Sequence, residues 1–158
     1  MTELLAAPAA IPAPAGKLIE EFFGRASTGD ATISVARMVA PPGWSEPGQR
    51  PSFEELTVVL EGSLVVEHRE GRFVVAAGQA CRARPEEWVR YSSPTGAHYV
   101  AICLPAFSPA AARRDDESAE LGGSHASVDA DADAGAGASA SSTPDASSTP
   151  DELVPPST

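Results

Sequence analysis

The chain has 158 residues, 42% of them hydrophobic and 6% aromatic, and a net charge of −11; that length suits a single domain. All eleven Lys and Arg residues lie at or before Arg114, together with twelve of the 22 acids, whereas the other ten acids, Asp115 to Glu152, have no base among them. The acidity therefore belongs to the C-terminal segment, and the nearly neutral body lacks the cationic face that nucleic acid requires. No run approaches the roughly 20 apolar residues of a membrane span. The Ala- and Pro-rich N-terminus has no basic leader and is broken by Pro8, Pro12 and Pro14, so a cytoplasmic protein with no membrane or nucleic-acid partner is expected.

Residues 1–30 are expected to form an N-terminal arm, with a short helical turn over Lys17 to Phe23 that clusters Leu18, Ile19, Phe22 and Phe23 on one side. Ser27 to Asp30 ends it, and from there the hydrophobic period becomes two. Thr32 to Val39 places Ile33, Val35 and Val39 on one face. Glu54 to Glu61 is rich in β-branched residues, Gly62 turns, and Ser63 to His68 returns. Arg72 to Val75, Ala80 to Arg84, Trp88 to Ser92 and His98 to Leu104 follow, each bounded by Gly or Pro.

Seven short strands with no intervening helix predict an all-β domain over residues 31–107, an antiparallel jelly-roll barrel rather than βαβ units. Leu56, Val58 and Leu60 are apolar on one face of their strand and Val59 on the other, as in a strand covered on both sides. A body this small gains by pairing with a copy of itself, so a homodimer is expected. Residues 108–158, with the run Asp129 to Ala134 and a twice-occurring Ser-Ser-Thr-Pro-Asp, are expected to be a disordered tail. Cys81 and Cys103 sit in apolar strand-like segments, outside any C-x-x-C pair, and suit small buried hydrophobes.

The segment Gly43 to Gly62 resembles the first motif of the cupin superfamily, G-x5-H-x-H-x3(or 4)-E-x6-G, with Gly43, Glu55 and Gly62 in register. Gly78, Pro85, Glu87, Arg90 and Pro94 follow the second motif, G-x5-P-x-G-x2-H-x3-N, more loosely. The resemblance implies a cupin barrel. It also implies a place for a divalent metal, held in the family by three His and one Glu. Here the first-motif His positions carry Gln49 and Pro51, or Gly48 and Arg50 with the longer spacing. The second-motif position carries Arg90, and only Glu55 remains. Proline offers no ligand atom and Arg no lone pair. No cofactor is therefore expected.

On that alignment Arg90 stands where the ion would be and pairs with Glu55. Arg90 is then expected to hold the anionic group of a small ligand such as a carboxylate, with Gln49, Tyr91 and Tyr99 orienting it. The expected role is that of a sensor or accessory protein. Two alternatives stay open. One is a cupin enzyme (isomerase, lyase or dioxygenase) using Glu55 and His98 as acid/base or as ligands of a weakly held metal. The other is an inert dimerisation barrel. Trp44 and Trp88 flank the motifs, either lining the mouth or capping the core, and Arg37 is either a second anion-binding residue or an edge-strand charge.

Overall fold

The computed structural model describes residues 1–116, and the expectation of a disordered tail beyond them falls outside the described residues. Among the described residues the chain forms nine strands: β1 (Ala9–Ile11), β2 (Leu18–Phe23), β3 (Ser34–Ala40), β4 (Trp44–Ser45), β5 (Glu54–His68), β6 (Gly71–Ala76), β7 (Ala80–Ala83), β8 (Val89–Ser93) and β9 (Ala97–Leu104). One short helix, α1 (Pro109–Ala112), follows. Every strand pair is antiparallel, as the strand spacing and turn residues predict.

β5 organises the barrel. Gly62 does not reverse the chain, as its place between two apolar runs suggests; it bends one 15-residue strand. Before the bend β5 pairs with β9 and β7 in a larger sheet, ordered β1-β2-β3-β9-β5-β7. After it the same strand pairs with β8 and β6 in a smaller sheet that includes β4. A bulge between Val59 and Glu61 starts the bend. Gly62 completes it at φ 71°, where an added Cβ would lie 2.1 Å from the Gly96 carbonyl oxygen, so only glycine fits.

The N-terminal arm is part of the barrel. Lys17 to Phe23 forms no helical turn: Leu18–Phe23 is strand β2, bonded between β1 and β3. The paired pattern Leu-Ile-Glu-Glu-Phe-Phe hides the alternation, because Glu21 points inward and is buried there. It is tolerated because its carboxylate accepts bonds from the Ala26 and Ser27 amides at 2.8 and 2.9 Å and from the Ser27 hydroxyl at 3.1 Å.

The segment just after β9 also departs from the expected tail. Ser108 caps α1, accepting from the Ala111 amide at 3.2 Å. Ala112 is fully buried beside Phe53, Cys103 and Phe107. Backbone bonds Ser52–Ala111, Arg50–Arg113 and Asp115–Gly48 strap this segment to residues 48–53.

Two clusters fill the interior. The main one gathers Trp44, Val59, Leu64, Val66, Val75, Val89, Tyr91 and Tyr99 between the sheets. The smaller one lies under α1, where Phe53 meets Phe107 edge to face at 5.8 Å. Cys81 and Cys103 are free thiols on inward-facing positions.

Candidate functional site

Strand parity decides which sequence candidates meet. On β5 Glu55, Thr57 and Val59 face inward, and on β9 Tyr99, Ala101 and Cys103 do. On β8 the inward residues are Val89, Tyr91 and Ser93. Arg90 therefore lies on the outer face. It makes no pair with Glu55; it pairs with Glu67 across the ladder, Nη2 to Oε2 at 2.7 Å and Nε to Oε2 at 3.0 Å. Pro85 follows Gly78 one residue later than the motif spacing, and Glu86 turns the chain at φ 67°. A single-residue slip moves every side chain to the opposite face. Tyr91 thus stands inside where the second-motif histidine was sought. The Arg90–Glu67 pair is expected to contribute less than about 1 kcal/mol, as checked by a double-mutant cycle in urea, because both partners are about 30% exposed.

The positive charge inside the barrel comes from Lys17, the one lysine of the chain. Its placement just before β2 carries its side chain into the interior. Its ammonium group lies 3.5 Å from the Glu46 carboxylate, with both side chains at most 10% exposed. It also sits 4.1 Å from the Trp44 ring centre and 5.5 Å from that of Tyr99. Arg114 reaches the same Glu46 oxygen at 3.8 Å. Burial lowers the Lys17 pKa, against the opposing pull of Glu46 and Glu55.

Lys17, Glu46, Gln49, Glu55, Tyr91 and Tyr99 share one chamber of about 60 Å³. The structure thus brings Gln49, Glu55, Tyr91 and Tyr99 together and leaves Arg90 out. Gln49 is held by reciprocal backbone bonds with Val89, both at 2.9 Å. Burial pushes the Glu55 carboxyl up to about 7; Glu46 adds to this, while Lys17 and the neighbouring Thr57 and Tyr91 hydroxyls oppose it. The Thr57 hydroxyl donates to Glu55 at 3.2 Å. Tyr91 is 3% exposed, and its hydroxyl, close to Glu55, completes no well-formed hydrogen bond. Burial also raises the Tyr91 and Tyr99 phenols well above their ordinary range, so both remain hydrogen-bond donors.

Tyr91 also lines a second, more open cavity of about 330 Å³ with Cys81, Ala83, Val66, Phe73 and Trp88. Here the His68 and Phe73 rings meet at 5.4 Å. The Trp88 indole donates to Asp115 at 2.8 Å, and Gly48 leaves the room its ring needs. The two tryptophans have different places: Trp44 is core under Lys17, and Trp88 is at the mouth.

The donor set does not fit a cupin metal. Among the described residues no three His, Cys, Asp or Glu side chains come together as a ligand group, and a lysine ammonium occupies the chamber. His98 cannot join Glu55, because it lies on the outer face of β9 opposite Glu61. Its Nε2 is enclosed without a hydrogen-bond partner. This removes the paired Glu55–His98 roles considered for an enzyme. Arg37 likewise faces outward, donating from Nε to Glu20 at 2.6 Å, and its strand is internal to the sheet rather than at an edge.

No family model matches the chain. Over 122 residues it is 43% identical to the endoribonuclease YbeY of Myxococcus xanthus, a match covering 75% of this chain and 41% of that protein. The chain thus spans about two fifths of the length of that curated relative. Among solved structures, a variant oxalate decarboxylase of Bacillus subtilis superposes with a TM-score of 0.57 at 15% identity, over 70% of this chain and 31% of that one. KdgF from a Halomonas species gives 0.55 at 10% identity, over 63% and 89% of the two chains. An RmlC-like cupin from Shewanella frigidimarina gives 0.52 at 16%, over 63% and 85%. No helix among the described residues is long and apolar enough to cross a membrane. With its bent β5 strand, its two facing antiparallel sheets and these neighbours, the chain has the cupin fold.

Proposed function

We propose that this barrel binds a small organic anion, a carboxylate of a few heavy atoms, without a metal ion, and acts as an accessory or sensing protein. The observation that carries the proposal is the buried Lys17 ammonium group facing a chamber that also holds a hydroxyl left unsatisfied at Tyr91. A buried donor without a partner costs about 1–3 kcal/mol, and an acceptor from a ligand would recover that. With Glu55 protonated, Lys17 and Arg114 face the single carboxylate of Glu46, which leaves a place for one more negative group. Glu21 lies in the same wall, but its carboxylate is engaged by the Ala26–Ser27 segment. The chamber admits only a small head group, and the wider cavity on the other side of Tyr91 offers an approach.

Thermal shift with a panel of small mono- and dicarboxylates tests this. A ligand that binds the native state alone raises its melting temperature. The expected result is a rise with at least one carboxylate, lost in Lys17→Met and stronger below pH 7, where Glu55 is neutral. No shift with any of them, or an equal shift in Lys17→Met, contradicts the proposal.

The identity to part of an endoribonuclease favours a second reading, in which the barrel serves an RNA-cleaving enzyme. Its test is incubation of the purified chain with labelled single-stranded RNA. Cleavage or salt-sensitive binding supports this second reading; the neutral body of the chain predicts neither.

A further inference from the structure

The wider cavity on the far side of Tyr91 has a character of its own. Its floor is the inner face of the smaller sheet, where Phe73, Val66 and Tyr91 form one cross-strand row and His68 and Val89 stand in the next. Val66, Val89 and Tyr91 are buried, but Phe73 is 44% exposed although it shares their face. A ring turned into a barrel ordinarily completes the core. Here β7 lines the cavity with the small side chains of Cys81 and Ala83, which leaves a gap of about 330 Å³. Trp88 brings a second ring to the same cavity from just before β8, the strand on the other side of β5 from β6. Its indole donates to Asp115 at 2.8 Å, which fixes the ring through its edge and leaves the faces free. The His68 ring meets Phe73 at 48° and props it in turn. Both walls are therefore set before anything binds.

We propose that this cavity is a second ligand site, which takes a flat, uncharged compound of one or two rings with Phe73 and Trp88 as its walls. The rim argues for the absence of charge. Arg82 pairs with Glu54 at 2.6 Å and Glu86 with Arg113 at 2.8 Å. The Glu87 carboxylate accepts from the Arg84 amide at 3.0 Å. Arg69 and Glu70, side by side in the turn after β5, offset one another. The rim thus holds both signs, balanced or engaged, and favours neither an anion nor a cation. The volume is near the lower end of the roughly 300–1,000 Å³ of small-molecule pockets, which limits the occupant to a small ring system. The walls favour a flat body over a puckered one of equal size, because aromatic pairs gain from geometry beyond the area they bury. Neither Lys17 nor Glu46 lines this cavity, so it is separate from the site proposed for a carboxylate.

The indole N–H signals of the full chain, followed by NMR during titration, test the assignment. The chain has two tryptophans, and Trp88→Phe identifies the signal that belongs to Trp88. The probes are benzamide and indole, which are flat and uncharged, cyclohexanecarboxamide, which is puckered, and benzoate and benzylammonium, which are charged. Benzamide or indole is expected to shift the Trp88 signal saturably, with a Kd of about 1 mM or tighter. The puckered and charged probes are expected to bind at least about threefold more weakly. Phe73→Leu, which keeps an apolar side chain and removes the ring, is expected to weaken the flat probe by about the same factor with an unchanged circular dichroism spectrum. Val74→Leu, 59% exposed on the opposite face of β6, is expected to leave the affinity unchanged. If Phe73→Leu fails to fold, nuclear Overhauser contacts between the probe's ring protons and the Phe73 ring in the unmodified chain read the same contact. No saturable shift with either flat probe would overturn the proposal. So would cyclohexanecarboxamide binding as tightly as benzamide, a charged probe binding more tightly, an unaltered affinity in Phe73→Leu, or the absence of those ring contacts.

Discussion

Lys17→Ala is expected to lower stability by about 3 kcal/mol at pH 7.5, read from the shift of the urea midpoint at constant slope. Removing one partner of a buried ion pair costs about 3–5 kcal/mol, because the remaining charge stays desolvated. The lower end applies here since Arg114 still reaches Glu46 at 3.8 Å. Two separate contributions are lost: the ammonium charge between Glu46 and Glu55, and the aliphatic stem packed on Trp44. Lys17→Met keeps most of the stem and loses the charge, so the difference between the two variants measures the packing. The cost should shrink toward pH 5, where Glu55 carries a proton in either protein. A midpoint within 0.2 M of the unmodified chain at pH 7.5 would mean that Lys17 lies outside the barrel.

Glu55→Gln should act in the opposite direction. The folded carboxyl titrates at about 7 and an ordinary glutamate at 4.5. Between those values the folded state holds a proton that the unfolded chain has released, so stability falls as pH rises through this window. The favourable contribution is fully present below about 4.5 and lost above about 7, at most roughly 3 kcal/mol in all. Glutamine removes the charge that burial penalises. The variant should therefore be more stable than the unmodified chain at pH 8, similar to it at pH 4.5, and flatter in between. Lys17 acts with the opposite sign: its lowered pKa makes stability rise with pH from that pKa up to the ordinary value of 10.5. Denaturant melts at half-unit steps from pH 4.5 to 8.5 measure both slopes. A Glu55→Gln variant less stable than its parent at pH 8 would show that the carboxylate is satisfied as an anion.

Such a destabilising carboxyl makes sense at a site kept for binding rather than for stability. The same holds for the Tyr91 hydroxyl. Both sit on the wall of the chamber, and neither is required by the packing of the sheets around them.

The barrel was legible in the sequence because its signals are local. β-branched runs, turn glycines and the spacing of Gly43, Glu55 and Gly62 each act over a few residues. The site was less legible because it depends on the face each residue takes. Gln49, Glu55, Tyr91 and Tyr99 line the chamber, but Arg90 points away because it alternates with the inward Val89, Tyr91 and Ser93 on β8. The sequence hints at this only through Pro85, which follows Gly78 one residue later than the motif spacing. Lys17 was missed for a different reason: Glu21 and the adjacent pairs of like residues disguise β2 as a helical turn. A signal was present all the same. In a chain with ten arginines, the one lysine stands next to Gly16 at the entrance of a strand. Similarly, a period-two reading of Ile33, Val35 and Val39 shows that they share a face but cannot say whether that face is the inner or the outer one.

The internal cation can be tested directly because the chain has no second lysine to confuse the result. Native reductive methylation followed by peptide mass spectrometry compares the Lys17 amine with the chain's α-amino group. A Lys17 labelled many times more slowly than the α-amino group, and released to the rate of an ordinary lysine in 8 M urea, is the expected result. Labelling of Lys17 in the folded protein as fast as in urea would place its ammonium group in solvent and leave the barrel without its fixed charge.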